Sequence, residues 1–338
     1  MSKLAHFSES QNDKGKIELN TFIDLFAGIG GFRLALEKYG LKCLFSSEWD
    51  KNAQKTYEAN FGELPSGDIT KIDAKTIPQH DILCAGFPCQ SFSISGKQKG
   101  FEDTRGTLFF DIARIVEYHK PKVLFLENVK NLVKHNNGGT LKTILRVLDT
   151  LDGVGYDVHW KVLNSSFYGA PTSRERVYFV CFRKDLGPVN FDFPEAVNTR
   201  IYLKDILERD RDVSEFLIKR RDVMFYKNFI QKPKLGPIQI GKINKGGQGE
   251  RIYSSYGHAI TLSAYGGGAG AKTGAYYVDG EIRKLTPREC ARVMGFPESF
   301  QIPKRKAQAY KQFGNSVVVL VLERVMAEIM NACNQNDL

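Results

Sequence analysis

Cysteine is sparse. The chain has six in 338 residues, at positions 43, 84, 89, 181, 290 and 333, and no two form a C-x-x-C pair. That spacing offers neither a disulfide framework nor a zinc site, so no metal is expected. Cys43, Cys84 and Cys181 fall in apolar, strand-like runs where a small buried hydrophobe is expected. Long apolar runs are also missing: nothing approaches the roughly 20 residues that a membrane span requires. The stretch from Met1 to Asn20 has no apolar centre of the signal-peptide kind, so the expectation is a cytoplasmic protein with a mobile leader. Internal repeats and low-complexity segments are absent too, and the glycine-rich stretch Lys245 to Gly280 carries too many aromatics and charges to be a linker.

What is present is a basic balance, 48 Lys and Arg against 38 Asp and Glu for a formal +10, which favours an anionic partner such as nucleic acid. Forty-two per cent hydrophobic content supports a large core. Short apolar runs at Thr21 to Phe26, Lys42 to Ser47, Asp81 to Ala85, Lys122 to Glu127, Trp160 to Leu163 and Val177 to Arg183 read as strands. Helix-spaced apolar residues lie between them at Gly31 to Tyr39, Asn52 to Phe61, Leu108 to Tyr118 and Thr140 to Leu151. The alternation predicts an α/β fold, a Rossmann-like and mostly parallel sheet wrapped by helices, with ligands beyond the carboxyl ends of its strands. From about Pro194 charged residues and then glycines take over. We therefore expect a catalytic and cofactor-binding domain over residues 1–196, a smaller loop-rich domain over 197–286, and a return over 287–338 closed by a helix at Val317 to Ile329.

The first strand runs into Ala27-Gly28-Ile29-Gly30-Gly31-Phe32, a turn in which glycine lets the backbone approach a ligand. Glu48 follows at the end of the second strand, where a carboxylate suits ribose hydroxyls, and Asp68 ends the next segment. A tight turn with two surface acids would read the same way. The third glycine of the dinucleotide fingerprint is missing, which favours S-adenosylmethionine over NAD. Past the third strand stands Pro88-Cys89-Gln90, a cysteine held by a proline, and thiolates are strong nucleophiles. The fourth strand ends in Glu127-Asn128-Val129, and an acid behind so apolar a run is costly unless paired or used. Arg174-Glu175-Arg176 precedes the sixth strand, where an arginine could hold that glutamate or a ligand carbonyl.

Phe26 to Gly31, Pro88-Cys89-Gln90, Glu127-Asn128-Val129, Arg174-Glu175-Arg176 and Gly314-Asn315-Ser316 resemble, in order and spacing, the motifs of the DNA cytosine-C5 methyltransferases from Thr21 to Met326. Thr172 departs from the family's usual glutamine two positions before Arg174. The resemblance implies methyl transfer from S-adenosylmethionine to carbon 5 of a cytosine flipped out of double-stranded DNA. Cys89, Glu127, Arg174 and Arg176 would be the catalytic set: Cys89 adding to carbon 6, Glu127 contacting ring nitrogen 3, and Arg176 contacting the carbonyl. Phe26, Gly28, Ile29, Gly31, Glu48, Trp49, Asp68, Ile69, Pro88, Leu108, Asn315 and Ser316 would line the cofactor site, with Trp49 against the adenine and Asp68 on its amino group. For Trp49, Ile69 and Leu108 plain core packing is the alternative.

Ser91 to Gly106 reads as a mobile basic lid, and Ser95 with Gln248 would fill the space left by the flipped base. The loops Gly246 to Ser254 and Ala259 to Gly268 resemble the recognition loops of GCGC-specific members of the family. They imply methylation of the inner cytosine, with Ser93, Ser95, Gln248, Arg251, Ser263, Tyr265 and Gly268 on the DNA and Arg251 facing a guanine. A monomer paired with a separate restriction endonuclease is what the resemblance implies. An NAD-dependent oxidoreductase, a catalytically silent DNA-binding relative and a tRNA cytosine-C5 methyltransferase on the same scaffold are the competing readings.

Overall fold

The computed structural model describes residues 16–88, 108–209, 212–227 and 232–335. Cys89, Ser93, Ser95 and the rest of the expected lid lie outside those residues, as does the expected leader through residue 15; the rest of that stretch is not loose, since Ile17 and Leu19 are buried and Ile17 N donates to Cys333 O at 3.0 Å.

The first sheet has six strands, β1 (Thr21–Leu25), β2 (Lys42–Ser47), β3 (Ile82–Gly86), β4 (Val123–Val129), β5 (Tyr156–Asn164) and β6 (Glu175–Arg183), in the order β2-β1-β3-β4-β6-β5. The first four run parallel. β6 is antiparallel to β4 and also to β5, so β6 alone is reversed and the sheet is mostly parallel, as the alternation predicts. Helices α1 (Gly31–Glu37), α2 (Lys51–Phe61), α3 (Leu108–His119) and α4 (Gly139–Thr150) cover it. Central strands such as β1 and β3 are buried on both faces because helices lie on both. One core gathers Phe22, Phe32 and Phe125; the other gathers Ile23, Leu124 and Phe179.

Several bounds differ from those expected. β5 is nine residues long, not four, because an edge strand exposed along part of its length hides its apolar alternation. β6 begins at Glu175, so Arg176 belongs to the strand rather than the loop before it. The stretch expected to be loops and short strands forms a second sheet of five, β7 (Val223–Phe225), β8 (Gln239–Ile243), β9 (Arg251–Ser254), β10 (Ala275–Val278) and β11 (Glu281–Arg283), in the order β11-β10-β9-β8-β7. It encloses a small core of Ile240, Ile243, Ile252 and Ala275. Leu203, Tyr253, Ala259, Leu262 and Tyr276 instead join the first core, so the two sheets share buried surface.

The return contains three helices, α5 (Pro287–Val293), α6 (Lys306–Asn315) and α7 (Val319–Asn334), where one was expected. α7 packs along α1. At their junction Gly31 has no room for a side chain, because a Cβ there would collide with Val317.

Candidate active site

Beyond the carboxyl ends of β1, β2, β3 and β4 lies a cavity of about 790 Å³. Parallel strands deliver their ends to one rim, and chain reversals there need backbone that side chains would obstruct. Phe26 (φ 56°) and Gly28 (φ 57°) both adopt left-handed conformations as β1 turns toward α1, which commits the loop to one path. All twelve residues expected around the cofactor line this cavity, together with Glu127, Arg174 and Arg176.

Glu48 sits at the end of β2 with its carboxylate held on two main-chain amides, Gly28 N at 2.8 Å and Asp50 N at 2.8 Å. Burial raises its pKa against the pull of those bonds. The Gly28 amide is therefore engaged by the protein itself, which removes a donor that a pyrophosphate would use and weakens the NAD reading. Trp49 is 76% exposed, so core packing does not account for it, whereas Ile69 is buried and Leu108 half-buried. Asp68 uses one oxygen to cap the turn at Thr70, and its other oxygen is 3.9 Å from Lys71 Nζ. An exposed indole, a carboxylate for sugar hydroxyls and a second carboxylate for an exocyclic amine suit an adenosine, and their negative charge suits a sulfonium.

At the floor Glu127 lies in β4 between Gly86 of β3 and Tyr178 of β6 in register. Arg176 stands two residues from Tyr178 on the same face and meets Glu127, Nε to Oε1 at 3.0 Å. Burial raises the Glu127 pKa while Arg176 and Arg174 lower it, and burial prevails. Gly86 adjoins the Glu127 carboxylate closely enough that a Cβ there would make ordinary contact with Oε2 at 3.5 Å. Asn128 donates from Nδ2 to Phe87 O at 2.8 Å, fixing the main chain two residues before Cys89. Arg174 is buried, with its guanidinium on the carbonyls of Leu262 (3.2 Å), Gly314 (3.1 Å) and Ser316 (2.7 Å). Thr172, the departure from the family pattern, is buried with its hydroxyl donating to Ala259 O at 3.2 Å.

Gln248, Arg251, Ser263, Tyr265 and Gly268 are all exposed. Gly249 and Gly268 bring their loops together, because a Cβ on either would strike the other loop's backbone, and Gly270 N donates to Gly249 O at 2.8 Å. Tyr265, 72% exposed, also lines the cavity. Among the lining residues that went unnoticed in the sequence are Asp50 and Lys311, which pair at 2.7 Å. They stand 261 positions apart, and only the fold shows that they meet.

The family model for C-5 cytosine-specific DNA methylases matches residues 20–331. The chain belongs to that family. This methylase is 58% identical to the type II methyltransferase M.HhaI of Haemophilus parahaemolyticus, over 93% of this chain and 95% of the relative. It is 45% identical to M.HpaII of Haemophilus parainfluenzae, over 95% and 92%. A solved structure of a putative prophage DNA modification methyltransferase from E. coli shares the fold, with a TM-score of 0.70 and 21% identity over 94% of this chain and 100% of that one. The methylase thus transfers a methyl group to carbon 5 of cytosine in DNA, with S-adenosylmethionine as donor. The family match favours DNA over the tRNA alternative. No helix among the described residues is long and apolar enough to cross a membrane.

Proposed function

We propose that this methylase modifies the inner cytosine of duplex GCGC, as the modification half of a type II restriction–modification system whose endonuclease acts separately. It would work as a cytoplasmic monomer, with residues 1–196 and 287–338 carrying the chemistry and 197–286 the recognition. The observation that carries this reading is the placement of Glu127 and Arg176 on the floor of a cavity bordered by Tyr265, with Gln248, Arg251 and Gly268 exposed in the two glycine loops that pack together at Gly249 and Gly268.

Glu48, Trp49 and Asp68 would hold the cofactor, which when bound supplies an electrophilic methyl group. Carbon 5 of cytosine is a weak nucleophile. The Cys89 thiolate would add to carbon 6, pushing electrons toward carbon 5 while Glu127 gives a proton or hydrogen bond to nitrogen 3. Its raised pKa suits that donation. Arg176 would hold Glu127 and steady charge at the cytosine carbonyl. After methylation a water molecule would take the carbon 5 proton, and the electron pair left behind would form the 5,6 double bond and expel the Cys89 thiolate from carbon 6. Arg174 would position the return segment rather than touch the base, since its terminal nitrogens are committed to main chain.

The test places 5-fluorocytosine at either cytosine of GCGC, since fluorine cannot leave as the proton does. With cofactor, a denaturation-resistant adduct is expected with the inner fluorocytosine alone, and none with Cys89→Ser. Trapping at an unrelated motif, or at the outer cytosine, would overturn the target assignment.

A further inference from the structure

Three parts of the molecule meet on the last two turns of α6. Lys311 Nζ donates to Asp50 Oδ2 at 2.7 Å, and Asp50 in turn gives its amide to Glu48 and caps α2 at Asn52 N, 2.8 Å away. Gln312 adds a bond from Nε2 to Asn52 O at 2.9 Å and accepts from the Thr56 hydroxyl at 3.0 Å. The loop bearing Glu48 and Trp49 is therefore fastened to α6. One turn on, Gly314 is packed against the Ser263–Ala264 peptide so closely that a Cβ would collide with it. Arg174, just before β6, then ties Leu262, Gly314 and Ser316 together. Tyr265 continues from that peptide into the cavity that Lys311 also lines, and its hydroxyl bonds nothing among the described residues.

We propose that Lys311 is a positioning residue that couples target binding to cofactor binding. Duplex DNA engaged by Ser263 and Tyr265 bears on α6, and the Lys311–Asp50 pair carries the effect to Glu48 and Trp49. This rests on the recognition role assigned to that segment. Half-exposed ion pairs contribute little to global stability, so removing this one leaves a folded protein in which coupling can be read. Coupling between two sites is reciprocal, which supplies an internal control.

The chain has two tryptophans, and Trp160 lies on edge strand β5 outside the cavity. In a Trp160→Phe background, Trp49 fluorescence reports binding of S-adenosylhomocysteine without turnover. Its Kd is measured alone, with a duplex that the wild-type protein methylates, and with an equally long duplex lacking that site. The target duplex should tighten Kd by a factor in the usual range of about 5–150-fold. Lys311→Met should bring that factor close to one, and Lys311→Arg, which keeps charge and donor, should restore most of it. Duplex affinity with and without S-adenosylhomocysteine should change by the same factor in each protein. An undiminished factor in Lys311→Met, or no tightening in wild type, overturns the proposal. Equal tightening by both duplexes in wild type instead counts against the recognition role of Ser263 and Tyr265, and the coupling falls with it.

Discussion

Burial and an arginine pull the Glu127 carboxyl in opposite directions, and burial raises its pKa. Glu127→Gln keeps the shape and a hydrogen-bonding group but removes both the charge that Arg176 answers and the transferable proton. Single-turnover rates should fall by about 10²–10⁴-fold, the usual contribution of a positioned acid or base, with duplex affinity little changed. Wild-type rates in the variant would remove Glu127 from the reaction. The sequence made Glu127 and Arg176 conspicuous because each breaks a local rule, an acid behind an apolar strand and a charged pair before another. Asp50 and Lys311 break no local rule. An N-cap aspartate and a lysine on a polar helix are ordinary where they stand, and their meeting is a property of the fold.

Among elements, α5 and α6 were missed for different reasons. α5 announces itself: Thr286-Pro287-Arg288-Glu289 is an N-cap, a proline at the first helical position and a capping glutamate, and both capping bonds form. α6 is polar and ends in Gly314-Asn315, which reads as a turn. Its glycine sets two effects against each other. Alanine inside a helix is better than glycine by about 1 kcal/mol. The added methyl would strike the Ser263–Ala264 peptide, and backbone cannot rotate away as a side chain can. Overpacking of this kind costs about 1–3 kcal/mol, so Gly314→Ala should lower the urea midpoint. An unchanged or higher midpoint would show that the Leu262–Ala264 segment yields freely. The second sheet was legible only as short strands, since β9 and β10 pair in parallel across twenty residues of loop and no local pattern signals that.

At the scale of the whole molecule, stability should depend on acid through His80. It is buried beside His119, its Nδ1 bonded to Pro78 O at 2.8 Å and its Nε2 without a partner, and burial pulls its pKa down to about 4. The folded state therefore binds fewer protons than the unfolded one between about pH 4 and the ordinary 6.5. The stability from keeping this ring neutral is present above 6.5 and is lost as pH falls toward 4, by about 3 kcal/mol in all. Urea unfolding across that range should show the slope, and His80→Gln should flatten it. An equally steep slope in the variant would place the acid sensitivity elsewhere.

The cavity is lined at one extreme by Phe26 and at the other by Val317. A ribosome making this chain completes the sixth strand of the first sheet at Arg183 and must add more than a hundred further residues before Ser316 is made. At roughly 5–20 residues per second that interval is on the order of ten seconds. Throughout it the growing polypeptide carries Glu48, Glu127 and Arg176 but lacks Lys311, Asn315 and Ser316, so the cavity stands without that wall until residues 311–316 are translated.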